Sequence, residues 1–140
     1  VINLSISINK GYSAIVILQE GRVLFKEVKE TDKTVKKHYT EQYLDLFKKA
    51  LFLLKTVTEQ ENISYENRCV MEMKCKQVVK WFNDLEAPKN HSEKFLETLK
   101  LFDVLPFRYT IMSVQKPTSM FYANEKHVKK EVFSTIQDLL

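Results

Sequence analysis

Lys74 is the residue from which a chemical reading of this sequence starts. It lies within Cys69–Asp84, read as Cys-Val-Met-Glu-Met-Lys-Cys-Lys-Gln-Val-Val-Lys-Trp-Phe-Asn-Asp. Alternating apolar residues give way there to helical spacing, so the stretch reads as a strand running straight into an amphipathic helix. The carboxyl end of a strand in an α/β sheet is where ligands and reactive groups converge. Around Lys74 stand one carboxylate, Glu72, one thiol, Cys75, and two further ammonium groups, Lys76 and Lys80. A helix start can lower a thiol pKa, but no histidine adjoins Cys75 in sequence, so it reads as a small buried residue rather than a nucleophile. His38, His91 and His127 fall on separate elements without metal-ligand spacing and read as surface or capping residues. Lysines recur at Lys33, Lys36 and Lys37, at Lys74, Lys76 and Lys80, and at Lys126, Lys129 and Lys130. Such clusters either contact phosphates or form solvated faces balanced by Glu86, Glu93, Glu97 and Glu131.

The elements that must position these groups follow from periodicity. Ile2, Leu4, Ile6 and Ile8 alternate with Asn3, Ser5 and Ser7, which is a strand with one buried face. Asn9-Lys10-Gly11 and Glu20-Gly21-Arg22 are turn signals, so Tyr12–Gln19 and Val23–Lys29 complete an antiparallel meander. After a polar linker, Leu44, Phe47, Leu51 and Leu54 predict a helix from about Tyr39 to Thr56, with Thr40 as N-cap. Arg68–Met73 is the fourth strand and Cys75–Leu85 the next helix. Ala87-Pro88-Lys89-Asn90 ends it, and Ser92 can cap a third helix with Phe95, Leu96, Leu99 and Phe102 inward. Phe107–Val114 is the fifth strand, Gln115–Ser119 a loop, and Ala123–Leu140 a last helix with Val128, Val132, Ile136, Leu139 and Leu140 inward. The order predicts a mixed sheet with helices packed on it, and a right-handed crossover if the third and fourth strands are parallel neighbours. Trp81-Phe82 fits the core better than a base-stacking surface. Phe121-Tyr122 is either a partner-binding spot or a hydrophobic staple.

With 140 residues, 44% hydrophobic and 29% charged, the chain suits one compact domain over residues 1–140 and excludes a disordered composition. Two glycines leave no room for a Gly-rich phosphate loop, and a net charge of +4 is compatible with a nucleic-acid backbone or an acidic partner. Cys69 and Cys75 lie too far apart along a strand to pair locally, which suggests a reducing, cytoplasmic setting. No apolar run is long enough to span a membrane.

The predicted order resembles the ribonuclease H-like fold, and several stretches are similar to the ribonuclease HI family. Gly11-Tyr12-Ser13-Ala14-Ile15 with Glu20-Gly21-Arg22 resembles its second strand and following turn. Ala50-Leu51 resembles its first helix, and Lys74-Cys75-Lys76-Gln77-Val78-Val79-Lys80-Trp81 its Asp-Ser-x-x-Val-Val-x-Trp segment. Asn124-Glu125 is similar to its Asn-Glu-x-x-Asp signature. The resemblance implies an α/β fold with a five-stranded mixed sheet, a three-strand antiparallel meander plus two parallel strands, flanked by helices. It also implies a site where carboxylates from four elements hold two divalent metals that cleave the RNA strand of an RNA–DNA hybrid.

At those four places this sequence carries other residues. Ser5 (or Ser7) stands for the first-strand Asp, Tyr43 for the first-helix Glu, Lys74 for the fourth-strand Asp and Val128 for the last-helix Asp. Glu41 and Asp45 flank Tyr43 but face elsewhere at about 100° per residue. A lysine beside a divalent cation costs roughly 8 kcal/mol at 4 Å and an effective dielectric of 20. The resemblance, so modified, implies a catalytically inactive domain that binds RNA–DNA hybrid or duplex without cleaving it and needs no cofactor. Lys74, Lys76, Lys80, Lys126 and Lys130 are the expected phosphate contacts. The alternative is a scaffold for a protein partner or a homo-oligomer. The third and weakest reading is an active nuclease using Mg²⁺ or Mn²⁺ on a rearranged set of Glu41, Glu72 and Asp45, with Glu72 reaching the metal position if the strand register slips by two.

Overall fold

The structure, a computed structural model, describes residues 1–31, 38–86 and 92–124. The elements in chain order are β1 (Ile2–Asn9), β2 (Tyr12–Gln19), β3 (Arg22–Glu30), α1 (Tyr39–Gln60), β4 (Arg68–Met73), α2 (Lys76–Asp84), α3 (Ser92–Phe102) and β5 (Arg108–Ser113). Residues 118–124 are helical again. The strands form one sheet in the order β3-β2-β1-β4-β5. β1, β2 and β3 are antiparallel, whereas β4 is parallel to both β1 and β5. The mixed five-stranded sheet is therefore as the sequence predicts. β4 lies beside β1 and β5 and not beside β3, so the β3–α1–β4 connection passes over β2 and β1 and the condition for a crossover between neighbouring strands is not met.

Strand alternation divides the sheet into two unlike faces. On the first, Ile2, Leu4, Ile6, Ile15, Ile17, Cys69, Met71 and Met73 join Tyr43, Leu44, Phe47, Leu51 and Leu54 of α1 in the main core. Phe47, Phe82 and Phe102 bring α1, α2 and α3 together, with Phe47 stacked on Phe82 at 5.1 Å between ring centroids. The second face is polar along β1, with Asn3, Ser5, Ser7 and Asn9 in one row. It is crossed by residues 118–124: Ser119 meets Ser5 of β1, Asn124 meets Tyr12 of β2, and Tyr122 lies under the Lys26 ammonium of β3.

Several boundaries differ from the sequence reading. α1 runs to Gln60, and its N-cap is His38, whose Nδ1 accepts from the Thr40 N–H, rather than Thr40 itself. In α3 Phe95, Leu99 and Phe102 pack inward as expected, joined by buried Thr98, while Leu96 is exposed because the packed stripe falls at positions 95, 98, 99 and 102. The last helical segment starts at Thr118 and not at Ala123. The Pro117 carbonyl accepts from the Met120 and Phe121 N–H groups, the ring sitting just before the first helical residue where its missing donor costs nothing. Trp81 is half-buried against the core, as expected, and Phe121 is exposed. The rest of the helix expected from the sequence, with Val128, Val132, Ile136, Leu139 and Leu140, lies outside the described residues, as do Lys33, Lys36, Lys37, Lys126, Lys129, Lys130, His91 and His127.

Candidate nucleic-acid interface

The junction after β4 is built by the parting of two parallel strands. β4 follows β1 in register as far as Ile6 opposite Met73. Beyond Met73 the chain turns away into α2, held by burial of Val78, Val79 and Phe82. The Met73 carbonyl then accepts from Val114. On the other side of the opening, the Ile8 N–H finds its acceptor in the Tyr43 hydroxyl at 3.1 Å. Tyr43 is wholly buried, and Tyr39 donates to its oxygen at 3.2 Å. Burial first, and the Tyr39 hydrogen bond second, hold the Tyr43 phenol far above its ordinary range, so it stays neutral. The first-helix place expected for a metal-binding carboxylate thus holds a neutral phenol that completes the backbone bonding of β1.

Ser5 and Glu72 are direct neighbours across β1 and β4 and share the second face. Both are engaged by the start of the last helical segment. Glu72 Oε1 accepts from the Thr118 N–H at 2.6 Å, and Ser5 Oγ accepts from the Ser119 N–H at 2.8 Å while donating to Ser119 Oγ at 2.9 Å. A carboxylate on the first free N–H of a helical segment is favourable both as a cap and against the backbone dipoles. Ser7, one residue pair further along the same row, is buried with its Oγ unpartnered.

Glu41 and Asp45 lie elsewhere. Lys94 of α3 places its Nζ 2.7 Å from Glu41 Oε1 and 3.1 Å from Asp45 Oδ1. Hydrogen bonds to Glu41 and then Asp45 hold that ammonium well above the usual lysine range. The two carboxylates project from α1, on the first side of the sheet, whereas Glu72 projects from the second. The rearranged metal set of Glu41, Glu72 and Asp45 is therefore not brought together. Among the described residues, no group of three or more His, Cys, Asp or Glu side chains is placed to hold a metal ion.

What the junction does present is positive charge. Lys74, Lys76 and Lys80 are all exposed, and among the described residues none of them enters an ion pair. Lys74 is the first residue beyond β4, at the bend that leads into α2. Cys75 is the N-cap of α2, but its side chain makes no cap hydrogen bond, and burial raises its thiol pKa. Burial thus favours the neutral thiol over the nucleophilic thiolate. A cleft of about 530 Å³ lies elsewhere, lined by Lys55, Thr58, Tyr65, Val104 and Phe107 among others, and holds none of the junction residues.

Two features were not read from the sequence. The Lys94 bridge leaves no local signal, because its partners lie on another helix. The Glu72–Thr118 and Ser5–Ser119 contacts had one available cue, a proline directly preceding Thr118-Ser119, which is a helix-start pattern.

No family model matches the chain, and no curated protein matches it. Solved structures do. An RNase H1 from the halophilic archaeon Halobacterium salinarum NRC-1 superposes with a TM-score of 0.61 at 10% identity, covering 81% of this chain and 84% of that one. LC11-RNase H1 in complex with an RNA/DNA hybrid also gives 0.61, at 14% identity, covering 83% of this chain and 88% of that one. This likeness, over most of both chains, establishes the ribonuclease H-like α/β fold.

Proposed function

We propose that this chain is a ribonuclease H-like domain that binds duplex nucleic acid, RNA–DNA hybrid above all, without cleaving it. The observation that carries the reading is the exposed triad Lys74, Lys76 and Lys80, without an ion pair among the described residues, at the point where β4 parts from β1. In an α/β sheet this is the place where ligands gather, and three unneutralised ammonium groups there favour a polyanion. Lys126 and Lys130 are proposed as further contacts from sequence alone. The likeness to a solved RNase H1 held with an RNA/DNA hybrid supports the choice of ligand.

Absence of cleavage is part of the same proposal. The residues at three of the four expected carboxylate places support it. Ser5 holds a helix start, Tyr43 is a neutral phenol bonded to Ile8, and Lys74 is a cation. The nearby acids are also engaged, Glu72 by Thr118 and Glu41 with Asp45 by Lys94. No divalent metal is needed for backbone contact through lysines, so binding is expected to persist in chelator.

Binding should weaken steeply with salt, log K falling per tenfold rise in salt by about 0.9 for each phosphate neutralised on a duplex. Replacing Lys74, Lys76 and Lys80 by Gln together should flatten that slope by roughly 2–3 and lower affinity without changing the melting temperature much. Fluorescence anisotropy with a labelled hybrid checks both. No binding at low salt would sink the reading. In that event the exposed Phe121 makes a protein-docking scaffold the stronger account.

A further inference from the structure

The chain has only three arginines, Arg22, Arg68 and Arg108, its other strong cations being lysines. Arg22 pairs with Glu61 at 3.3 Å. Arg68 and Arg108 behave differently. They are direct partners in the parallel β4–β5 ladder, so their backbones lie about 4.8 Å apart and both side chains rise from the same face. Both are exposed, and among the described residues neither enters an ion pair. Like charges placed opposite each other across strands are destabilising, and nothing described here offsets them.

The surroundings suit an anion. Arg68 donates from Nη2 to Thr110 Oγ1 at 2.6 Å, which fixes its guanidinium along the face and leaves further N–H donors free. Residues 118–124 cross from β4 toward β3, so among the described residues none covers the second face of β5, and Met112 is exposed there. Alternation along β4 puts Arg68, Val70 and Glu72 on this one face, and Lys74 directly follows the strand's last residue, Met73. The six residues from Arg68 to Lys74 span up to about 20 Å. That matches roughly six base-pair steps of a duplex at about 3.4 Å each.

We infer that Arg68 and Arg108 form a second phosphate-binding site, which grips the backbone of the same nucleic acid about half a helical turn from Lys74. The inference rests on the proposed nucleic-acid binding. A guanidinium fork matches phosphate oxygens bidentately, so two adjacent forks hold one phosphodiester or two consecutive ones.

The test is an NMR titration of the arginine Nε–Hε signals in the full chain with a hybrid of about 18 base pairs, run beside salt-series anisotropy; a footprint this long spans both sites. The Arg68 and Arg108 signals should shift, with Arg22 as the unmoved control. The Arg68→Gln/Arg108→Gln double variant should flatten the salt slope by roughly 1–2. If the variant fails to fold, the wild-type titration alone decides. Hybrid binding that depends on Lys74, Lys76 and Lys80 while Arg68 and Arg108 stay unshifted overturns this inference and leaves the earlier reading standing. Absence of any binding at low salt overturns both.

Discussion

Tyr43 shows how one side chain can close a place that could otherwise hold chemistry. It is wholly buried, and its oxygen accepts the Ile8 N–H left over when β4 departs. Tyr43→Phe keeps the ring but orphans that donor, and should cost about 1–3 kcal/mol in urea unfolding. A change under half of that would mean Ile8 is satisfied otherwise. Cys69 gives a pH-dependent counterpart. Burial raises its thiol from 9.0 to about 12. A group whose neutral form is favoured in the fold contributes fully below its unfolded pKa and loses that contribution as pH rises through the folded value. Stability should therefore fall between pH 9 and 12 by more in the wild type than in Cys69→Ala, read from urea midpoints. Parallel curves would show that the thiol is solvated. Of the candidate residues, Lys74 was legible as a cation at a strand end, because that depends only on local alternation. The Lys94 bridge to Glu41 and Asp45 was not, because it depends on how α3 packs on α1.

At the scale of elements, the start of the last helical segment is set by two side chains from the sheet. Glu72→Ala removes the acceptor of the Thr118 N–H and should cost about 1 kcal/mol, with faster hydrogen exchange confined to residues 118–124. Exchange that rises uniformly would place the effect in the sheet instead. The β5 edge is handled in a comparable way. Asn83 of α2 donates to the Ile111 carbonyl, so α2 takes up one acceptor of an otherwise open edge. The strands and the antiparallel meander of the first three could be read from period-two alternation and two glycine turns, and Gly11 and Gly21 both adopt positive φ. The helix start at Thr118 was missed because Pro117 was read as loop punctuation, whereas here it precedes the first turn.

For the whole molecule, the two faces of the sheet divide the labour. One is the apolar core shared with α1, and the other carries a polar β1 row and, at its β4–β5 side, arginines that enter no ion pair among the described residues. The mixed sheet with helices packed on it followed from element order, because a meander followed by alternating helices and strands has few packings, and the resemblance in motifs pointed to the ribonuclease H-like fold. The use of that fold did not follow, because it depends on which charges remain unpaired after packing. No helix among the described residues is long and apolar enough to cross a membrane. The account stands on binding without cleavage, and one sample tests it. An end-labelled RNA–DNA hybrid is incubated with the chain at low salt in Mg²⁺, and in parallel in Mn²⁺, then divided between a native and a denaturing gel. The account predicts a shifted complex whose RNA strand is recovered intact. A shortened RNA strand, lost on adding chelator, would contradict it, and so would an unshifted hybrid.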